Sequence, residues 1–129
     1  MKKRLQTDEK DCKQNQKNAK KAAEQAVLCV SELDKKLSAF RKDSDVYRIN
    51  TAKANTEVSV STECFELILR AKELSEKTDG AFDVAIKPIM DLWGFGDKNK
   101  VPDDSALLNA LSLVDYNSII LNEEAQTVT

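Results

Sequence analysis

The run Thr78 to Gly96, TDGAFDVAIKPIMDLWGFG, constrains the fold of this chain more than any other stretch. It holds all three glycines, Pro88, the only tryptophan and two of the four phenylalanines, against a background of Lys, Glu, Ser and Ala. Glycine opens backbone conformations closed to other residues, and proline fixes one torsion and removes a donor. Their clustering beside aromatic residues predicts shaped loops around short regular pieces, and loops are where binding residues collect.

Around that run the apolar periodicity is helical. Ala19, Ala22, Ala23, Ala26, Val30, Leu33 and Leu37 recur at three- and four-residue steps, which predicts a long amphipathic helix over Lys17 to Ala39 with one buried stripe. Arg41 to Asn55 breaks the period and reads as a loop with a short helical turn around Asp45 to Ile49. Val58 and Val60 alternate with polar neighbours as a short strand or extended connector. Ser61 or Thr62 then caps a second helix through Cys64, Leu67, Ile68, Ala71, Leu74 and Ser75, with Glu63 suited to its positive end and Gly80 as its stop. Pro88 opens a short helix with Ile89, Met90 and Leu92, ended by Gly94 and Gly96. Pro102-Asp103-Asp104-Ser105 leads into a further helix bearing Leu107, Leu108, Leu111 and Val114. Ser118 to Leu121 and Gln126 to Thr129 read as a hairpin around Asn122-Glu123-Glu124-Ala125, with the last strand an unpaired sheet edge. The fold class expected is α+β, with three main helices packed on a small, incomplete antiparallel sheet. Residues 1–16 form a charged, frayed N-terminal segment and residues 17–129 the domain.

The length of 129 residues suits a single domain. A content of 41% apolar and 33% charged residues with a net charge of −2 fits a globular protein with a charged surface, and it argues against a nucleic-acid partner. The lysines between Lys2 and Lys21 are interleaved with Asp8, Glu9, Asp11 and Glu24, and no aromatic stands among them to stack on a base. Met1 to Lys21 contains no apolar run resembling the core of a signal segment, and Cys12 follows Asp8-Glu9-Lys10-Asp11 rather than the small and apolar residues of a lipid-acceptor site. Cys12, Cys29 and Cys64 lack CxxC spacing and no histidine accompanies them, so no metal site is expected from this sequence. Cys29 and Cys64 fall in helical stretches and are expected to be small buried hydrophobes.

Asp79-Gly80-Ala81-Phe82-Asp83 sets two carboxylates around a glycine. Taken by itself, it is a helix stop leading into a buried Phe82, because Asp and Gly are ordinary turn residues. It lacks the alternating oxygen ligands and closing glutamate of a calcium loop. Gly94-Phe95-Gly96 likewise lacks the further glycine, lysine and long helix of a phosphate cradle, which leaves Trp93 and Phe95 as core residues.

Taken together, these blocks resemble the first half of the FAD:protein FMN transferases, the ApbE-type flavin transferases. The matching residues are Leu37-Ser38-Ala39-Phe40, Asp43-Ser44, Arg48-Ile49-Asn50, Thr78 to Asp83, Pro88-Ile89, Leu92 to Gly96, Pro102, Val114 and Tyr116, so the agreement extends from about Leu33 to Leu121. The resemblance implies an enzyme that binds FAD and, with Mg²⁺, cleaves its pyrophosphate, placing FMN on a Ser or Thr of a target flavoprotein and releasing AMP. The acceptor it implies is a redox flavoprotein subunit of an electron-transport complex. Family members are cell-envelope proteins, often lipoproteins.

By the same resemblance Phe40 stands at an aromatic position, usually Tyr, that stacks on the flavin nucleotide, and Ala81, Phe82 and Asp83 form a contact with FAD. Asp83 is expected to accept a hydrogen bond from a base or sugar. Catalytic residues and metal ligands are expected beyond residue 129, and none is assigned within the chain. Val84-Ala85-Ile86-Lys87 departs from the family's Thr-Val-Gly, which puts the backbone fit there in question. The alternative is a non-catalytic FAD-binding or protein-interaction module derived from the same family.

Overall fold

A computed structural model describes residues 2–94 and 101–129, with the side chains described from residue 13 onward. The chain divides into two units, residues 1–35 and 36–129. The first is a helix, the body of α1 (Lys2–Leu37). It starts well before Lys17 and runs through the expected frayed segment without a break. No glycine or proline interrupts residues 2–37, and Lys, Glu, Gln and Ala propagate a helix readily once it is nucleated. Pairs such as Gln14 with Asn18 and Glu32 with Lys35 bridge successive turns. Most of the expected buried stripe is not buried: Val30 and Leu33 are exposed, as are the neighbouring Val27, Leu28 and Cys29, while Leu37 at its end packs against the core. The helix ends at Leu37 rather than Ala39, because Ser38 turns its carbonyl to the Ser44 hydroxyl.

The second unit is α+β. Its helices are α2 (Asp45–Thr51), α3 (Thr62–Lys77), α4 (Lys87–Trp93) and α5 (Asp104–Leu111), and a 3-10 turn spans Tyr116–Ser118. Each start carries the device its sequence offers. Ser44 caps α2, Ser61 caps α3 by accepting from the Cys64 amide, and Asp103 caps α5 by accepting from the Ala106 amide. Pro88 lies in the first turn of α4, which Gly94 closes in a left-handed conformation. Ile86, before that helix, has the ordinary right-handed values φ −66°, ψ −3°, so the backbone at this departure from the family pattern needs no glycine. Gly96, Phe95 and the loop 97–100 lie outside the described residues.

The strands are β1 (Val58–Ser59), β2 (Leu121–Asn122) and β3 (Thr127–Val128), ordered β1-β3-β2 and antiparallel throughout. Val128 faces Val58 on one side and Leu121 on the other. The last strand is therefore central, not the unpaired edge the hairpin pattern suggests, because β1 returns from far upstream to pair with it. Val128 joins Val60, Cys64 and Phe65 in the core, with Leu37, Val46, Ile49, Val58, Ile68, Ile119 and Leu121 packed around them. Burial raises the Cys64 thiol to about 11, with the Asp45 charge adding to the effect, so this cysteine is an inert core residue.

Candidate functional site

Two turns carry the residues that the sequence singles out. The first, Ser38 to Asp45, presents Phe40, a residue 91% exposed. An aromatic so bare gains nothing from packing, and its position is set from below by small polar groups. The Phe40 amide donates to the Ser38 hydroxyl at 3.3 Å, and the Ser44 amide donates to the Arg41 carbonyl at 3.0 Å. Ser44, fully buried, donates its hydroxyl proton to the Ser38 carbonyl and accepts from the Tyr47 amide at 3.1 Å. On the outer surface Arg41 pairs with Asp43.

Asp45 fastens this turn to α3. One carboxylate oxygen accepts from both the amide and the hydroxyl of Ser61, and the other accepts from the Arg48 guanidinium. The side chain is only 10% exposed. Burial pushes its carboxyl up, yet the donors from Ser61 and Arg48 outweigh that and hold it below the ordinary value.

The second turn follows the other end of α3. Asp79, in the left-handed conformation at φ 51°, donates its amide to Glu76, and Gly80, at φ 76°, donates to Ser75, so two orphan carbonyls of the helix end are satisfied. The position that turns the chain is thus Asp79 together with Gly80. The Thr78 hydroxyl donates to the Leu74 carbonyl at 2.9 Å and accepts from the Phe82 amide at 3.1 Å. Phe82 is 42% exposed, so the turn does not lead into a buried phenylalanine, and Trp93 is also exposed rather than core. Ala81 is exposed and Asp83 half-buried.

Both Asp83 oxygens are engaged by backbone amides, one by Ala85 at 2.7 Å and the other by Tyr116 at 3.1 Å. Each retains a lone pair for a further donor. The Asp83 carboxylate therefore ties the Ala81-Phe82 turn to a segment thirty-three residues downstream, and the Tyr116 ring lies 3.8 Å from where a Cβ at Gly80 would stand.

Ala81, Phe82 and Asp83 are thus gathered in one turn, whereas Phe40 sits on a turn fastened to the opposite end of α3. At about 1.5 Å rise per residue, the 16 residues of that helix span about 24 Å. Three supports went unread in the sequence. Ser75, fully buried, accepts from the Val84 amide at 3.4 Å, and Asp45 and Tyr116 act as described above. Ser75 left a faint signal, as a polar residue on the otherwise apolar stripe of α3. Among the described residues no three His, Cys, Asp or Glu side chains converge to hold a metal ion.

This geometry has close counterparts. The chain is 28% identical over 117 residues to the FAD:protein FMN transferase of Haemophilus influenzae, covering 86% of this chain and 34% of that protein. The apo flavinyl transferase ApbE of Pseudomonas stutzeri superimposes with a TM-score of 0.74 at 31% identity, over 84% of this chain and 35% of that one. The ApbE protein of Thermotoga maritima gives a TM-score of 0.79 at 29% identity, over 87% and 37%. The chain therefore spans about a third of the length of these relatives. The family model described as ApbE matches residues 4–129, both turns included, and the chain belongs to the ApbE family.

Proposed function

We propose that this chain supplies part of the nucleotide-binding surface of an FAD:protein FMN transferase. The relatives that share its sequence carry that name, and the observation that supports the reading most is the pair of braced turns holding exposed aromatic rings at positions matched to the family. An exposed aromatic ring is what a planar isoalloxazine or adenine stacks on. On this reading Phe40 stacks on the flavin nucleotide, and the loss of the hydroxyl usual at that position costs a hydrogen bond rather than the ring face. Gly80 supplies the left-handed torsion that turns the backbone into Ala81 and Phe82, and the spare lone pairs of Asp83 accept from a sugar or base.

In the complete reaction the acceptor Ser or Thr oxygen bonds to the FMN phosphorus and the pyrophosphate bridge breaks. AMP leaves, and the hydroxyl proton passes to a base. Mg²⁺ enters as the family's metal, with its ligands and the catalytic groups expected beyond residue 129. The acceptor on this reading is a flavoprotein subunit of an electron-transport complex at the cell envelope.

Titration of the chain with FAD, followed by flavin fluorescence, tests this directly, with Phe40→Ala and Asp83→Ala in parallel and AMP release assayed in the presence of Mg²⁺. Saturable binding that both substitutions weaken, without AMP release, is the expected result. Binding that neither substitution affects would remove the two turns from the site. No binding at all would defeat the view that these turns hold the nucleotide by themselves.

A further inference from the structure

We propose that Asp45 is a positioning residue for the Phe40 turn, its carboxylate locking that turn against the start of α3 so that the ring is set before any ligand arrives. The consequence for flavin rests on the function proposed above. The lock itself rests only on the geometry of Ser38, Ser44, Asp45, Arg48 and Ser61.

Phe40 itself makes almost no contact with the rest of the protein. Ordering a free turn costs backbone entropy for each residue fixed, so something else must hold it. At the end of the same turn lie Ser44, without solvent exposure, and Asp45, nearly without it. Burying a carboxylate is costly unless it is paired and hydrogen-bonded, and here it receives three donors from two directions. Two of them come from Ser61, sixteen residues downstream, which is already committed as the cap of α3. Ser44 continues the linkage upward, since its hydroxyl caps α2 on one side and holds the Ser38 carbonyl on the other. Ser38 in turn receives the Phe40 amide. The path from the α3 cap to Phe40 therefore runs by hydrogen bonds from Ser61 to Asp45, along the backbone to the adjacent Ser44, by a hydrogen bond from Ser44 to Ser38, and from Ser38 to the Phe40 amide.

A purely structural Asp45 would hold α2 on α3 and leave the 39–43 backbone indifferent to its loss. A positioning Asp45 sets that backbone. The two roles separate in ¹⁵N relaxation of the full chain, measured on the native protein and on Asp45→Asn, Ser61→Ala and Ser61→Thr, with FAD titrated into each. The expected native result is a heteronuclear NOE over residues 39–43 as high as that of the α3 interior. In Asp45→Asn and Ser61→Ala it falls over 39–43 only, while residues 66–75 stay rigid, and Ser61→Thr, which keeps the hydroxyl, restores it. Flavin affinity then weakens about tenfold in Asp45→Asn and in Ser61→Ala, and stays near the native value in Ser61→Thr.

A turn that is already mobile in the native chain, or that stays rigid in Asp45→Asn, overturns the proposal. If a variant loses the α3 signals as well, Asp45 holds the fold as a whole and the positioning role is rejected. Failure of the native chain to bind FAD removes the flavin consequence and counts against the proposed function, while relaxation still decides whether Asp45 locks the turn.

Discussion

The Ser38–Asp45 turn and the Thr78–Asp83 turn stand at the two ends of α3 and are held by opposite means. The second is largely a helix ending. Its backbone closes through the amides of Asp79 and Gly80, and Thr78, Ser75 and Asp83 add local supports, with one long-range bond to Tyr116. The first has a single backbone bond within it, and side chains do the rest, above all a buried carboxylate that reaches across to the start of α3. A turn closed by its own backbone tolerates the loss of one side chain. A turn held by a chain of side chains fails at its weakest member, so the two regions should respond very differently to substitution.

The largest effect is expected from Asp45→Ala. It leaves the Ser61 amide and the Arg48 guanidinium without their acceptor, and we expect a loss of about 3 kcal/mol in urea unfolding. The pH dependence should carry the same signature. Because the Asp45 carboxyl is held below its ordinary value of 3.8 in the folded chain, its contribution is complete above that value and disappears as pH falls through it and on through the folded value. Asp45→Asn should flatten this acid limb, and an unchanged limb would show that the clamp contributes little.

Asp83→Ala should cost less, about 1–2 kcal/mol, since it frees the Ala85 and Tyr116 amides but leaves the helix ending intact. Hydrogen exchange at Tyr116 should accelerate while exchange at Gly80 does not; acceleration at both would mean that the second turn depends on its carboxylate as much as the first does.

Gly80→Ala comes next, at about 1 kcal/mol. The added methyl meets the Tyr116 ring at an ordinary 3.8 Å, so the cost is conformational, from φ 76°. A much larger loss in thermal unfolding would point to a closer fit between this turn and Tyr116 than the contact distance implies. Ser61→Thr should be smallest, a few tenths of a kcal/mol, because a threonine hydroxyl still caps α3 and still donates to Asp45.

The difference between the turns also explains what could be read in advance. Local chemistry was legible. Asp79-Gly80 announces a helix stop, Pro88 a helix start, Ser61 or Thr62 a cap, Pro102-Asp103-Asp104-Ser105 the approach to a helix, and the blocks around Phe40 and Thr78–Asp83 carry the family resemblance. Each of these depends on residues a few positions apart. Burial along α1 was not legible, because periodicity describes a face without saying whether anything covers it, and Val30 is bare. Phe82 and Trp93 were misplaced for the same reason: an aromatic in an apolar run is assigned to a core by composition, whereas exposure depends on what else packs nearby. The site was half legible, since the residues offered to a ligand stand in recognisable blocks. Of the residues that support the second turn and the Phe40 turn, Tyr116 stands in a block covered by the family resemblance, whereas Ser75 and Asp45 do not, because their roles rest on partners distant in sequence.

The sequence by itself determined where the helices of the second unit start, the family and the positions of the two turns, because capping, glycine torsions and proline geometry act within one turn of chain. The end of α5 was missed, since the helix stops at Leu111 and does not reach Val114. Only the tertiary structure decided that the last strand lies between β1 and β2, that Asp45 is buried against Ser61, and that Asp83 reaches Tyr116. Those pairings join residues sixteen to seventy positions apart. A carboxylate or a strand edge has many candidate partners in sequence, and collapse around Val60, Cys64, Phe65 and Val128 selects the ones that are satisfied.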